Sequence, residues 1–390
     1  MTRWLGFLLG RIPIGWLQLV HSRTRLIAAV AGVAFANLLV FVQLGVVGSI
    51  NNLVELTYTP FDADIIISPP GAELFAGAQL PRRIMYMALA EPGVVDAVPL
   101  YLDSVEWKRP DGISKSLLVY GMAPEATAFA GDVIGARNLA ILALQDRVLL
   151  DSEFEQIAVD PEALSLASPV EFEINGRAVS AIGSFRFGSG FAYDGALFVS
   201  DQTFQRLAGR PTSGTPSHIL LRVQPESDPA VLVKELGKRL ASEQVQVRTV
   251  EQAIADDLSY MNTQSPMGII FGSGLFIGVL VGVVIVYQVL AADVAAHIKE
   301  YATFKAMGFT HRFLLGVVFE EALIIAFLGF VPGFVLSAGT YAVMAAAAGL
   351  PINMTTSRAL AVFAGSFVAC AISGALVTLR LRSAEPAELF

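Results

Sequence analysis

Charge is scarce in this chain of 390 residues: Asp, Glu, Lys and Arg make up 15% of it, against roughly 25% in an ordinary soluble domain. Together with 54% hydrophobic residues and a mean hydropathy of +0.61, this scarcity marks a membrane protein. Cysteine is nearly absent, and the single Cys370 excludes intramolecular disulfides and cysteine-cluster metal sites. The four histidines, His21, His218, His297 and His311, show no ligand spacing, so no metal is expected. A basic excess is missing as well. With 26 Lys plus Arg against 34 Asp plus Glu, a net charge of −8 and a pI near 5.1, the chain lacks the positive face a nucleic-acid binder needs to displace counterions. The phosphate loop, the HExxH zinc motif, the GxSxG nucleophile elbow and the calcium loop are all lacking. No ATP hydrolysis by this chain alone, no peptide cleavage by these routes and no cofactor are expected. A membrane enzyme with an unfamiliar site stays open, but nothing in the sequence promotes it.

What the chain has instead is long uncharged runs. A bilayer core about 30 Å thick takes about 20 apolar helical residues. Residues 26–50, 266–292, 322–357 and 359–379 each contain no Asp, Glu, Lys or Arg. The third run needs a turn within it, for which Pro351, Asn353, Thr355 and Ser357 are suited, and Pro332 and Gly333 are candidate kink residues. The expected order is therefore an interfacial amphipathic helix in residues 1–25, spans at 26–50, 266–292, 313–345 and 359–379, an outer domain at 51–265, a loop at 293–312, a short outer loop at 346–358 and a tail at 380–390. The first run is too long for a cleavable signal and reads as a retained anchor. Trp4 and Trp16, mixed with Arg3 and Arg11 ahead of it, suit a membrane interface.

Basic residues near span ends set orientation. Arg3, Arg11, Arg23 and Arg25 precede the first span, Lys299, Lys305 and Arg312 lie between the second and third, and Arg380 and Arg382 follow the fourth. Residues 51–70 and 249–265 carry Glu55, Asp62, Asp64, Glu251, Asp256 and Asp257 and no Lys or Arg. Both termini are thus expected in the cytoplasm, with residues 51–265 outside. That outer segment has a net charge of −12 and the remainder +4, which places the cationic part against anionic lipid.

Within residues 51–265, strand-like runs recur at 63–67, 104–107, 117–120, 147–150, 170–174, 178–182, 196–199 and 219–223, with helix-like pieces at 82–90 and 230–241. The expected fold is a membrane protein with four transmembrane helices and a large α+β extracytoplasmic domain between helices 1 and 2. Asn175-Gly176 is a hairpin signal. The aromatic stretch 183–195, with Phe185, Phe187, Phe191 and Tyr193, could touch a hydrophobic ligand; core packing is the preferred reading.

Inside the membrane, Gly268, Gly272, Gly274, Gly278 and Gly282 let the second span approach a neighbour closely. This is either a dimer seam or packing within one subunit, and the second is preferred. Glu320 and Glu321 fall roughly 12 Å into the third helix at 1.5 Å per residue. They read either as a proton or substrate pathway or as a buried anchor paired with Lys299, Lys305, Arg312 or polar groups of a neighbouring helix. The anchor is preferred, because the other spans lack further ionisable groups. Asn37, Gln43, Gln288 and Cys370 read as helix-packing residues.

The loop between the second and third spans is charged and has no helix breaker before Gly308. Its apolar positions offer a face to a partner protein. The run Glu300-Tyr-Ala-Thr-Phe-Lys-Ala-Met-Gly308 resembles the cytoplasmic loop signature of FtsX/MacB-type ABC transporter permeases, and Phe319-Glu-Glu-Ala-Leu323 resembles the start of the helix that follows it. The DevC group is closer still, through Trp16-Leu-Gln-Leu19, Ala63-Asp-Ile-Ile-Ile-Ser-Pro69, Val286-Tyr-Gln-Val289 and the tail Leu381-Arg-Ser-Ala-Glu-Pro-Ala-Glu-Leu-Phe390. The resemblance implies a homodimer of four-span subunits working with a separate ABC ATPase subunit that binds ATP and Mg. It further implies a periplasmic membrane-fusion protein, a TolC-like outer-membrane channel and a lipid-like cargo, a glycolipid in the DevC group. The outer domain is less similar, which leaves the cargo open. On this reading Lys299, Glu300, Tyr301, Phe304, Lys305, Met307 and Gly308 couple the permease to the ATPase. An FtsX-like signal transmitter acting on a cell-wall hydrolase and a lipoprotein-extracting permease are the alternatives.

Overall fold

The computed structural model describes residues 14–21, 23–71, 79–108, 112, 114–152, 154, 164–187, 193–208, 215–298, 300, 303, 307–348 and 352–382. In chain order its main elements are α1 (Ile14–His21), α2 (Arg23–Tyr58), β1 (Ile65–Ser68), α3 (Arg83–Leu89), β2 (Val94–Lys108), β3 (Ser114–Met122), α4 (Ala136–Ile141), β4 (Arg147–Asp151), β5 (Val170–Ile174), β6 (Arg177–Phe185), β7 (Gly195–Ser200), α5 (Asp201–Leu207), β8 (His218–Val223), α6 (Pro229–Arg239), β9 (Gln246–Thr249), α7 (Val250–Thr263), α8 (Pro266–Ala296), α9 (His311–Ala348) and α10 (Thr356–Arg382). They form two compact units. A helical unit is drawn from Met1–Gly48, Pro266–Ala348 and Ile352–Phe390, and a sheet unit from Ser49–Ser265 and Gly349–Pro351.

Four helices of the described residues are long and apolar enough to cross a membrane: Arg23–Tyr58, Pro266–Ala296, Leu315–Ala346 and Thr356–Val377. Lipid is as apolar as leucine, so these helices associate through close packing and interhelical hydrogen bonds rather than through the hydrophobic effect. Small residues supply the closeness. A Cβ added at Gly278 would lie 3.3 Å from Val40 Cγ2, one at Gly282 3.1 Å from Ala36 Cβ, and one at Gly274 would collide with the Gln43 amide. On the neighbouring helix, a Cβ at Gly333 would stand 2.9 Å from Asn37 Cβ and 3.0 Å from the Ala34 carbonyl oxygen. Polar groups complete the packing. Ser366 Oγ donates to Asn37 Oδ1 at 2.5 Å, Ser373 Oγ donates to the Val283 carbonyl at 2.9 Å, and the Tyr341 hydroxyl donates to the Phe41 carbonyl. Pro332 lies inside α9, where it removes one backbone donor, yet the helix continues to Ala348.

Among the described residues the sheet unit is built on nine strands in the order β5-β6-β4-β7-β3-β2-β8-β1-β9. Pairing is antiparallel except for β3 with β7 and β4 with β6, so the sheet is mixed. The 15-residue β2 holds its two halves together: residues 94–100 pair with β8, and residues 101–108 with β3. Under the β8 half, Ile65, Ile67, Ile219 and Leu221 pack with Ile84 of α3 and with Leu232 and Leu236 of α6. These two helical residues recur at i and i+4, the spacing that keeps one face on the sheet. In the other half, the Tyr120 and Phe198 rings stack with centroids 6.0 Å apart. Phe185 and Phe187 are buried beside them, so these aromatics of the 183–195 stretch are core residues; Phe191 is outside the described residues. Asn175 and Gly176 take φ of 49° and 76° and turn β5 into β6, the left-handed pair a tight hairpin needs.

At the end of α2, within the sheet unit, the Tyr58 hydroxyl donates to Asp257 Oδ2 of α7 at 2.6 Å. Arg248 Nη1 of β9 reaches Asp257 Oδ1 at 3.4 Å. Asp257 is buried, so losing either donor leaves a poorly solvated carboxylate.

Two outcomes follow from these contacts. Gly333→Leu forces backbone and side chain apart and should destabilise the chain by about 1–3 kcal/mol, while Gly272→Leu, whose added Cβ meets nothing within 4 Å, should be near neutral; thermal unfolding of the two variants in detergent compares them. Tyr58→Phe should cost about 1–3 kcal/mol by removing a hydrogen bond to a buried carboxylate, seen as a lower midpoint in the same assay.

Candidate functional site

A group of ionisable residues of the helical unit gathers at the end where the loop joins α8 to α9. Asp293 closes the apolar run of α8 and is only 3% exposed. Arg25, at the start of α2, reaches its Oδ1 at 3.4 Å, and His297 Nδ1 lies 3.5 Å from its Oδ2. The histidine sits one turn further on and its Nδ1 also approaches the Asp293 carbonyl at 3.0 Å. A buried carboxylate in an apolar helix needs such neighbours.

Glu320 and Glu321 face this cluster from α9. Glu321 is fully buried and has the Asp293 carboxyl as its near neighbour. Glu320 Oε1 accepts from the Trp16 backbone N–H of α1 at 3.4 Å. Helix α1 comes close because Gly15 has no side chain: a Cβ there would lie 2.9 Å from Glu321 Cγ and 3.0 Å from the Val317 carbonyl oxygen. Leu19 is buried in the same apolar cluster as Val317, Val318 and Ala322. Of the partners considered for the two glutamates in the sequence, Lys299, Lys305 and the Arg312 side chain lie outside the described residues.

Of the seven coupling positions, three are described. Glu300 is exposed and helical, and its Oε2 accepts from Gln18 Nε2 of α1 at 3.3 Å. Met307 is 60% exposed. Its backbone N–H bonds the Thr303 carbonyl at 3.0 Å, one helical turn back, and Gly308 follows with φ of 90°, a left-handed value that suits glycine at the end of a helical turn. Lys299, Tyr301, Phe304 and Lys305 are outside the described residues. Among the five glycines of α8, Gly274, Gly278 and Gly282 face α2, Gly272 has open space, and Gly268 is buried.

Sequence reasoning did not assemble Gln18, Arg25, Asp293 and His297. It counted Arg25 toward orientation and took Asp293 and His297 as loop residues. A signal was nonetheless present: opposite charges flank two apolar runs, Arg25 just before residue 26 and Asp293 just after residue 292. Antiparallel neighbouring spans would bring those two ends together.

With this geometry in hand, comparison with known proteins is informative about the helical part. Residues 272–386 match the family described as FtsX-like permease C-terminal. A search among curated proteins gives no significant match. Among solved structures, the periplasmic region of MacB from Actinobacillus actinomycetemcomitans is similar at 12% identity and a TM-score of 0.37, over 54% of this chain and 97% of that one. The extracellular domain of the noncanonic ABC-type transporter YknZ from Gram-positive bacteria is similar at 13% identity and a TM-score of 0.33, over 48% of this chain and 98% of that one. The matched segment runs from within α8 through the loop and α9 to residue 386, and over this segment the chain is similar to the FtsX-like permeases.

Proposed function

We propose that the chain is the permease subunit of an ATP-driven exporter, in which a separate ABC ATPase binds ATP and Mg and pushes on the loop between α8 and α9. The observation that carries this reading is the family match over 272–386, which brackets that loop and the buried acids beside it. A permease of this family implies an ABC ATPase partner and a transport component rather than an enzyme. In this reading Lys299, Glu300 and Lys305 dock the ATPase by charge, Tyr301, Phe304 and Met307 supply apolar contact, and Gly308 ends the docking helix. Glu320 and Glu321 act as the anchor that fixes the inner end of α9. The loop faces the cytoplasm of a bacterial inner membrane and the sheet unit the periplasm, as the distribution of Lys and Arg supports.

The finer proposal follows the DevC likeness of the sequence. Two copies of the chain work together, a membrane-fusion protein meets the sheet unit, and a lipid-like or amphiphilic cargo, a glycolipid by analogy, passes toward a TolC-like channel.

The test is to purify the tagged chain from its native membranes in mild detergent and quantify what remains bound. An ABC ATPase together with a membrane-fusion protein is the expected result. A wall hydrolase in place of the adaptor would replace the exporter with a signal transmitter, and absence of any ATPase would overturn the permease reading. The double variant Glu300→Ala, Lys305→Ala should lower the retained ATPase roughly tenfold, as expected for about 1.4 kcal/mol of lost docking energy; unchanged retention would remove these residues from the docking surface.

A further inference from the structure

Among the described residues, a hydrogen bond joins helix α1 to the loop. Gln18 is 7% exposed, held in place by its own helix, whereas Glu300 is exposed on the loop. Gln18 Nε2 lies 3.3 Å from Glu300 Oε2. An exposed carboxylate needs no protein partner for its solvation, so this contact serves position rather than charge burial. The anchoring end is firm. Gly15 places the α1 backbone against α9, the Trp16 N–H reaches Glu320, and Leu19 is buried in the apolar cluster of the same end. A short amphipathic helix that only floated at a lipid surface would not be seated by a glycine on a neighbouring helix.

We propose that α1 is part of the coupling apparatus, with Gln18 a positioning residue that holds Glu300 and the turn ending at Met307 in the orientation the ATPase meets. This rests on the permease reading given above. The Gln18 amide donates to the Glu300 carboxylate, and Gly15 sets the distance by letting α1 lie directly on α9. Gln18 itself touches no ATPase in this account; it acts through Glu300.

The experiment uses the full chain, with its co-purified ATPase, in mild detergent. Cys370 is the single cysteine, so a Cys370→Ala, Met307→Cys background accepts one nitroxide on the exposed loop position for the mobility reading, while ATPase retention is read on the unlabelled chain with Met307 in place. Gln18→Ala should raise nitroxide mobility and lower the retained ATPase roughly fivefold, the effect of one net hydrogen bond, and Glu300→Ala should raise mobility equally and lower retention at least as much, because it also removes a docking charge. The double variant should be no worse than the more severe single one, because both remove the same contact. Glu300→Gln, which still accepts from the Gln18 amide, should keep the mobility of the parent. Gly15→Leu should reproduce the mobility change of Gln18→Ala by lifting α1 off α9.

Unchanged mobility in Gln18→Ala, or effects of the two alanine variants that simply add, would overturn the proposal. So would a Gln18→Ala protein whose only change is a lower unfolding midpoint. Failure of the underlying reading looks different: a parent chain that retains no ATPase contradicts the permease, while the nitroxide signal still reports whether Gln18 holds Glu300.

Discussion

A carboxylate at the end of an apolar helix has to be neutralised or solvated, and the loop end of the helical unit is organised around that requirement at Asp293. Arg25 and His297 approach it from two directions, and Glu321 lies beside it fully buried. The cost of leaving such a group without neighbours is several kcal/mol, more than a close helix contact contributes. Three helix ends are thereby drawn together: the start of α2, the end of α8 and the first turns of α9. The loop that follows Asp293 starts from a fixed point, and α1, seated by Gly15, closes over the same place.

Small residues do the corresponding task along the spans. Gly274, Gly278 and Gly282 of α8 and Gly333 of α9 bring α2 close enough for Asn37 and Tyr341 to take part in interhelical hydrogen bonds. Polar side chains that would be costly in lipid become specific connections between helices.

Much of this was legible in the sequence, for physical reasons that differ by region. Uncharged runs longer than a bilayer core admit little but a spanning helix, so the four long helices follow from composition. Seven of the eight strand-like runs lie within strands, and the eighth, 63–67, overlaps β1 from Ile65, because most of their β-branched and aromatic residues pack on the sheet. What escaped was the strand with no apolar signature: β9, Gln246–Thr249, is an edge strand with polar residues, and the first half of β2 contains Asp96 and Pro99. The polar cluster escaped for another reason. Arg25 and Asp293 are 268 residues apart and Gln18 and Glu300 are 282 apart, and nothing local distinguishes an acid that ends a span from an acid that starts a loop. The two glutamates of α9 stood out only because they lie inside a span. Their neighbours, a backbone N–H and another acid, carry no sequence signal.

The central claim is that force from an ATPase enters at the loop joining α8 to α9. Its most direct measurement is the labelling rate of a cysteine at position 307 by a membrane-impermeant maleimide, in inside-out native membrane vesicles with the ATPase partner present. The account predicts ready labelling without nucleotide and strong protection when ATP is added under conditions that block hydrolysis. A cysteine at 307 that labels equally fast with and without ATP, or only in right-side-out vesicles, would contradict it.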